Sequence, residues 1–313
     1  MPPPFEAQGG RARGAEGNGE GNRVDARAGT TARRPADGDA VADLRILATS
    51  DLHVQIMPHD YHADRPDTAV GLARLAVLIE AERAVAPNVL LLDNGDFLQG
   101  NPMADYVAEV RGLARAPHPV VAAMNTLGYD ACGLGNHEFN YGLPFLTAAL
   151  AAARFPVIAS NLDPVAPGMR IAAPFAILDR QLRDRAGGLW PLAVGIVGLV
   201  PPQIMAWDWP HLNGRIAVRG IVAAARSAAA AARAAGADVV IALCHSGLGP
   251  DVRPGDAAPE AENAALAVAR LSGIDAVVAG HSHIVFPDPA VQGVPGVDVA
   301  RFTIRIEGDR ALH

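Results

Sequence analysis

From residue 45 onward, short runs of Leu, Ile and Val alternate with longer Ala- and Leu-rich stretches in which apolar side chains recur every three or four residues. Seven runs predict strands: RILAT (45–49), NVLLLD (88–93), DACGLG (130–135), FPVIAS (155–160), LAVGIVGLV (192–200), DVVIALC (238–244) and IDAVVAG (274–280). Most lack the alternation of a strand with one face in water, so they suit a central sheet covered by helices. Helices are expected at 69–86, 103–111, 119–127, 144–154, 219–235 and 260–272, where residues such as Leu72, Leu75 and Ile79 share one face. Gly128, Gly236 and Gly273 follow three of them, where a left-handed residue commonly ends a helix. Alternation of the two kinds of segment gives an α/β fold rather than an all-β sandwich. Residues 161–190 read as a long connection without period, and 246–259 as a loop of Gly, Pro and Asp.

Composition changes the picture mainly at the N-terminus. Residues 1–44 are rich in Gly, Pro, Arg and Ala and hold almost no large apolar side chains, so they cannot offset the entropy of ordering. A disordered tail is expected there, leaving 45–313 as the folded domain. The tail has no apolar region of the roughly 7 to 15 residues that a secretory signal needs. Arg33 and Arg34 form a twin-arginine pair, yet Pro35-Ala36-Asp37-Gly38-Asp39 follows in place of an apolar segment. A net charge of -7 and a pI near 5.8 give no broad cationic surface for a nucleic-acid polymer, while leaving room for a small anion bound locally. The longest Ala-rich run is broken by Arg226 and Arg233, so no stretch reaches the roughly 18 apolar residues of a membrane span. Cys132 and Cys244 sit inside apolar runs without CxxC spacing and read as packing residues. His59, His62, His118, His211 and His313 lie in polar or Pro-flanked loops and read as solvated.

The chemistry is concentrated at strand ends. SDLH follows the first predicted strand, NGD the second, GNHE the third, CHSG the sixth and GHSH the seventh. In a wound α/β sheet the carboxyl ends of strands meet at one edge, so these five loops converge on one pocket. They carry Asp51, His53, Asp96, Asn136, His245, His281 and His283: two carboxylates, one amide and four imidazoles. That set is too large for one tetrahedral ion and suits two ions sharing a carboxylate. Oxygen and imidazole donors without thiolate fit Mn, Zn, Fe or Co better than Mg or Ca. A lone DxH or HxH means little; the ordered set of five carries the inference. Gly95, Gly135 and Gly280 each precede a ligand candidate, where a missing Cβ lets backbone approach the cluster. Asp93 and Glu138 fit orienting roles beside it.

This ordered pattern of DxH, GD, GNH(E/D), H and GHxH resembles the calcineurin-like metallophosphatase superfamily, and within it the nucleotidase branch. ATSDLH, DYHAD, LLDNGDFLQGNPMADY, GNHEFNYGL, CHSGL and AGHSHIVFP resemble most of all the bacterial 2′,3′-cyclic-nucleotide 2′-phosphodiesterase/3′-nucleotidases, over about residues 45 to 300. The resemblance implies a layered α/β metallophosphatase fold, its sheets covered by helices and its metal site at the C-terminal ends of strands. It implies a hydrolase of small phosphate esters of nucleotides with two divalent ions, bridged by Asp96. Asp51, His53 and His283 would hold one ion, Asn136, His245 and His281 the other, and the neighbouring His137 would stabilise the transition state or protonate the departing ribose oxygen. The 5′-nucleotidase branch tends to place Asp three residues after that histidine; Asn140 stands there in this chain, which favours the cyclic-phosphodiesterase branch and argues against a His/Asp dyad. Members of the branch are typically periplasmic and carry a C-terminal domain whose aromatic residues hold the base. Neither that domain nor a matching end to the metal domain is recognisable here, so a truncated chain is expected. The alternatives are a 5′-nucleotidase-type hydrolase and a non-catalytic metal-binding fragment.

Overall fold

The computed structural model describes residues 41–165, 171–248 and 261–284, with the backbone of 304–307 and 310–312, all within one compact unit, Gly38–His313. Four strands, β1 (Arg45–Thr49), β2 (Val89–Asp93), β3 (Ala131–Gly133) and β4 (Val157–Ile158), form a parallel sheet in that order. A second sheet contains β5 (Ala176–Arg183), β6 (Leu189–Leu199), β7 (Val239–Cys244) and β8 (Ala276–Ala279), ordered β8-β7-β6-β5. In it β6, β7 and β8 run parallel, while β5 pairs with β6 as an antiparallel edge.

The strands are apolar on both faces because each sheet has a core on both sides. Along β7, Val239, Ile241 and Leu243 join Leu90, Leu92 and Ala131 of the first sheet in the core between the sheets. The alternate residues Val240, Ala242 and Cys244 pack instead with Ala224, Ala225, Ala228 and Ala232 of α4 (Ile221–Ala234) and Val268 of α5 (Ala265–Ala269). On the far side, Leu91 and Cys132 meet Leu72 and Ile79 of α1 (Leu72–Val85), Val121 and Met124 of α2 (Pro119–Leu127) and Leu146 of α3 (Gly142–Leu150). Each buried leucine or isoleucine contributes roughly 1.5 to 3 kcal/mol. The result is helices, sheet, sheet, helices, rather than one central sheet. Both cysteines are buried and unpaired, as packing residues should be.

Several expectations change. The connection at 161–190 contains β5, in whose sequence AILDRQLR Leu178 and Leu182 enter the core between the sheets while Asp179, Gln181 and Arg183 on the other face are exposed. The helix expected over 103–111 is a short α-helix, Pro102–Asp105, continued by a π-helix, Tyr106–Arg111. The last helix is confined to Ala265–Ala269 instead of 260–272. Val41–Ala42 forms a strand paired with Ile304 and Arg305, and Ala42 is fully buried, so ordered structure begins inside the expected tail. Residues 1–40, most of the 246–259 loop and His313 lie outside the described residues. His118 is not solvated: its ring is fully buried against Phe145. No helix of the described residues is long and apolar enough to cross a membrane.

Candidate metal centre

The five loops meet as expected, and backbone hydrogen bonds hold them together beyond the strand ends. Asp51 N donates to Gly95 O at 2.9 Å and His53 N to Asp96 O at 2.8 Å, which locks the loop after β1 to the loop after β2. Glu138, fully buried, ties the latter to the loop after β3. Its Oε1 accepts from Phe97 N at 2.7 Å and Leu98 N at 3.1 Å, and its Oε2 from Asp96 N at 2.8 Å and Gly135 N at 2.6 Å. Burial and the nearby Asp96 charge push the Glu138 pKa up, against the pull of these N–H groups. Asp93 braces the same loop through Thr49 Oγ1 and Gly95 N, and burial raises its pKa to about 8. The orienting roles of both carboxylates are thus visible. A Cβ on Gly135 would overlap Asp96 Oδ1, and one on Gly280 would overlap Ser50 Oγ, so close packing requires glycine at both positions.

Three overlapping groups of candidate donors, each with its atoms within 4.8 Å of one another, define the centre: Asp51, His53 and His283; Asp96, His245 and His281; and His53, Asp96 and His137. Asp96 belongs to two of them, which places its carboxylate centrally. Asn136 adjoins the second group, with its Oδ1 2.9 Å from His281 Nδ1. Several rings are aimed by their second nitrogen: His53 Nδ1 bonds Gln99 O at 2.7 Å, and His245 Nδ1 bonds Asn94 O at 3.0 Å. Each Nε2 is thereby turned inward.

Not every donor atom of the set finds a partner among the described residues. Asp51 Oδ1 and His245 Nε2 are buried without a hydrogen-bond partner, 3.7 Å apart. Facing nitrogens His53 Nε2 and His283 Nε2 lie 3.3 Å apart, where at most one proton can be shared. His245 Nε2 approaches Asp96 Oδ2 to 2.9 Å without hydrogen-bond alignment. Burial disfavours charge on both groups, yet their attraction prevails: the Asp96 pKa is lowered, and that of His245 rises to about 9 with help from Asp51. The pocket favours positive charge. Asp51, His53, Asp96, His281 and His283 all adopt positive φ, between 44° and 72°, as does the adjoining Val54. Strained non-glycine backbone clusters at functional sites, and here it coincides with the candidate ligands.

The structure also shows supporting residues that the motifs did not reveal. Glu262 Oε1 lies 2.8 Å from His281 Nε2, and Ser246 Oγ holds the Glu262 segment through Glu262 O and Ala264 N. Trp207, half exposed, stacks on the His281 ring at 5.9 Å between centroids. Asp208 reaches Asn140 beside His137. No motif marks any of these, since each partner is distant in the chain.

The family description "Calcineurin-like phosphoesterase" matches residues 44–285. The chain is similar to the 2′,3′-cyclic-nucleotide 2′-phosphodiesterase/3′-nucleotidase of Yersinia enterocolitica, 42% identical over 265 residues that cover 85% of this chain and 40% of the relative. It therefore spans well under half of that relative's length. The snake venom 5′-nucleotidase of Naja atra is more distant, 30% identical over 251 residues covering 77% of this chain and 41% of its own. The crystal structure of calcineurin-like phosphoesterase YfkN from Bacillus subtilis superposes with a TM-score of 0.77 at 40% identity, covering 82% of this chain and 77% of that one. Because the matched span takes in both sheets and all seven candidate ligands, the chain belongs to the calcineurin-like phosphoesterase family.

Proposed function

We propose that this chain is a two-metal hydrolase of nucleotide phosphate esters, acting on 2′,3′-cyclic nucleotides and 3′-nucleotides. The observation that carries the reading is the pair of buried, unpartnered donor atoms, Asp51 Oδ1 and His245 Nε2, inside a ring of strained ligand candidates. Family members are metal-dependent, and the donor set fits two divalent ions of the Mn, Zn, Fe or Co type. Asp51, His53 and His283 would hold one, and Asn136, His245 and His281 the other, with Asp96 between them. Ions bound there would lower the pKa of a coordinated water and neutralise charge on phosphate oxygens.

The chain's own residues supply placement and a proton. His137 N donates to Asp96 Oδ1 at 2.7 Å, so the imidazole is anchored beside the central carboxylate, and its ring stands edge-on to His53 at 5.0 Å. From that position His137 would protonate the departing ribose oxygen. A cyclic substrate would be opened at its 2′ ester first, and a second hydrolysis would release phosphate. The greater likeness to the cyclic-nucleotide enzyme than to the 5′-nucleotidase, 42% against 30% identity, supports this order of preference.

The test is metal content by atomic emission together with turnover of 2′,3′-cAMP, 3′-AMP and 5′-AMP by the full chain. Two metal equivalents and faster hydrolysis of the first two substrates are expected. A preference for 5′-AMP would move the assignment to the 5′-nucleotidase type. Two bound metals with no turnover of any substrate would identify a non-catalytic metal-binding protein.

A further inference from the structure

His137 is held from behind by a chain of two hydrogen bonds. Its Nδ1 lies 2.7 Å from Asn140 Oδ1, and Asn140 Nδ2 donates to Asp208 Oδ1 at 3.1 Å and Oδ2 at 3.3 Å. Asp208 is only 6% exposed and sits between two short helices, Ile204–Trp207 and Trp209–Leu212. Its backbone is fixed on both sides: its N donates to Ile204 O at 2.9 Å, and its O accepts from His211 N at 2.9 Å and Leu212 N at 3.1 Å. The carboxylate is therefore presented to Asn140 by a rigid turn 68 residues away.

The chemistry of the three groups sets the direction of every bond. An amide has one accepting and one donating end, and a carboxylate only accepts. With Asp208 opposite, the Asn140 amide must turn its NH₂ outward to the carboxylate and its oxygen toward His137. A flipped amide would set its oxygen against the Asp208 oxygens and its NH₂ against the ring. Facing an oxygen, His137 Nδ1 must carry a proton. That leaves Nε2 as the atom free to exchange one, on a ring that stands edge-on to His53 and shares a donor group with His53 and Asp96.

We propose that Asp208 is a positioning residue: by orienting the Asn140 amide it keeps one His137 proton on Nδ1, so that the doubly protonated ring gives its Nε2 proton to the leaving oxygen and is left as the Nδ1–H form. A neutral amide thus does what a carboxylate next to the histidine would do, with the charge moved one residue further back. The proposal rests on the reading of His137 as proton donor to the leaving group.

The swap of amide and carboxylate tests it. Asp208→Asn leaves two amides with no imposed direction, and Asn140→Asp sets two carboxylates against each other. The double variant restores one of each in exchanged places, the carboxylate beside the ring accepting from Nδ1–H and the amide behind it donating to that carboxylate. In the full chain, Asp208→Asn should slow 2′,3′-cAMP hydrolysis by roughly 10- to 100-fold, the usual loss when an orienting partner is removed. Bis(p-nitrophenyl) phosphate, whose leaving group needs no proton, should be nearly unaffected. The double variant should recover most of the loss. Long-range ¹H–¹⁵N correlation of the His137 ring in the metal-free protein should show Nδ1–H in wild type and the double variant, and a mixture in Asp208→Asn.

Equal slowing of both substrates, or a double variant no better than Asp208→Asn, would overturn the proposal. So would an unchanged Nδ1–H signal in Asp208→Asn, read in a variant whose circular dichroism matches wild type. Failure of the underlying reading looks different. In that case His137→Ala itself shows no dependence on the leaving group, while the NMR comparison still decides whether Asp208 sets the ring.

Discussion

Replacing Glu138 by Gln should unlock the loops of the candidate centre while exchanging one oxygen for an NH₂ group. Each oxygen of the buried Glu138 carboxylate accepts two backbone N–H groups, Phe97 and Leu98 on Oε1 and Asp96 and Gly135 on Oε2. Whichever end the amide NH₂ occupies, two buried donors then face a donor and lose their acceptor. A buried group left unsatisfied costs about 1 to 3 kcal/mol, so Glu138→Gln should destabilise the fold by roughly 2 to 6 kcal/mol. Loss of a full negative charge acts in the other direction through reduced repulsion of Asp96, which keeps the expectation near the lower half of that range. Urea unfolding followed by circular dichroism measures the change, and atomic emission measures bound metal, which should fall because Asp96 rides on the released loop. A loss below about 1 kcal/mol with full metal content would refute the reasoning, since it would mean that the four N–H groups do not depend on the carboxylate.

Asp96→Asn, nearly isosteric, should reduce bound metal below two equivalents by atomic emission, because a central carboxylate would lose its charge; wild-type content would remove Asp96 from the centre. His137→Ala should retain metal and slow ribose esters by roughly 10² to 10⁴, with a smaller loss on nitrophenyl esters. Equal losses on both would show that it donates no proton to the leaving group. His118 gives a pH dependence outside the site: burial, and then the nearby Arg111 charge, lower its pKa from 6.5 to about 4. The unfolded chain therefore takes up the proton first, so this contribution to stability is intact above pH 6.5 and is lost as pH falls toward 4, by roughly 3 kcal/mol in all. His118→Leu should flatten that part of the stability profile in urea titrations at pH 7 and pH 4.5, and an unchanged slope would refute it.

The sequence revealed what is local along the chain. Candidate ligands lie within a few residues of strand ends, so an apolar run followed by DxH or GNH reports both the element and its chemistry. β1 begins and ends where its RILAT run does, and α2 matches its expected 119–127 span, because Pro119 can start a helix and Gly128 ends it in the left-handed region at φ 66°. What stayed hidden depends on partners far away. β5 escaped because it exposes Asp179, Gln181 and Arg183 on one face and places Arg180 beside Asp130 on the other, so no apolar run marks it. His118, between two prolines in the chain, looks like a loop residue until Phe145 covers it. Asp208 and Glu262 reach the site only because separate loops fold over it, and neither has a motif around it.

The positive φ values at the centre explain why so much of the surrounding structure is devoted to holding loops. Asp and His tolerate the left-handed region better than most residues, and Val54, β-branched at φ 57°, tolerates it poorly. At about 1 kcal/mol or more for each of these six residues, the accumulated strain approaches the 5 to 15 kcal/mol that separates a folded domain from its unfolded chain. Glycine at those positions would relieve it, and glycine cannot bind an ion. The chain keeps candidate ligand side chains where the backbone would favour none, and it offsets the cost with buried hydrogen bonds that converge on the same loops. Glu138, Asp93 and Asn94 therefore belong to the site as much as the ligand candidates do. Their contribution is to make a strained arrangement the most stable one before any substrate arrives.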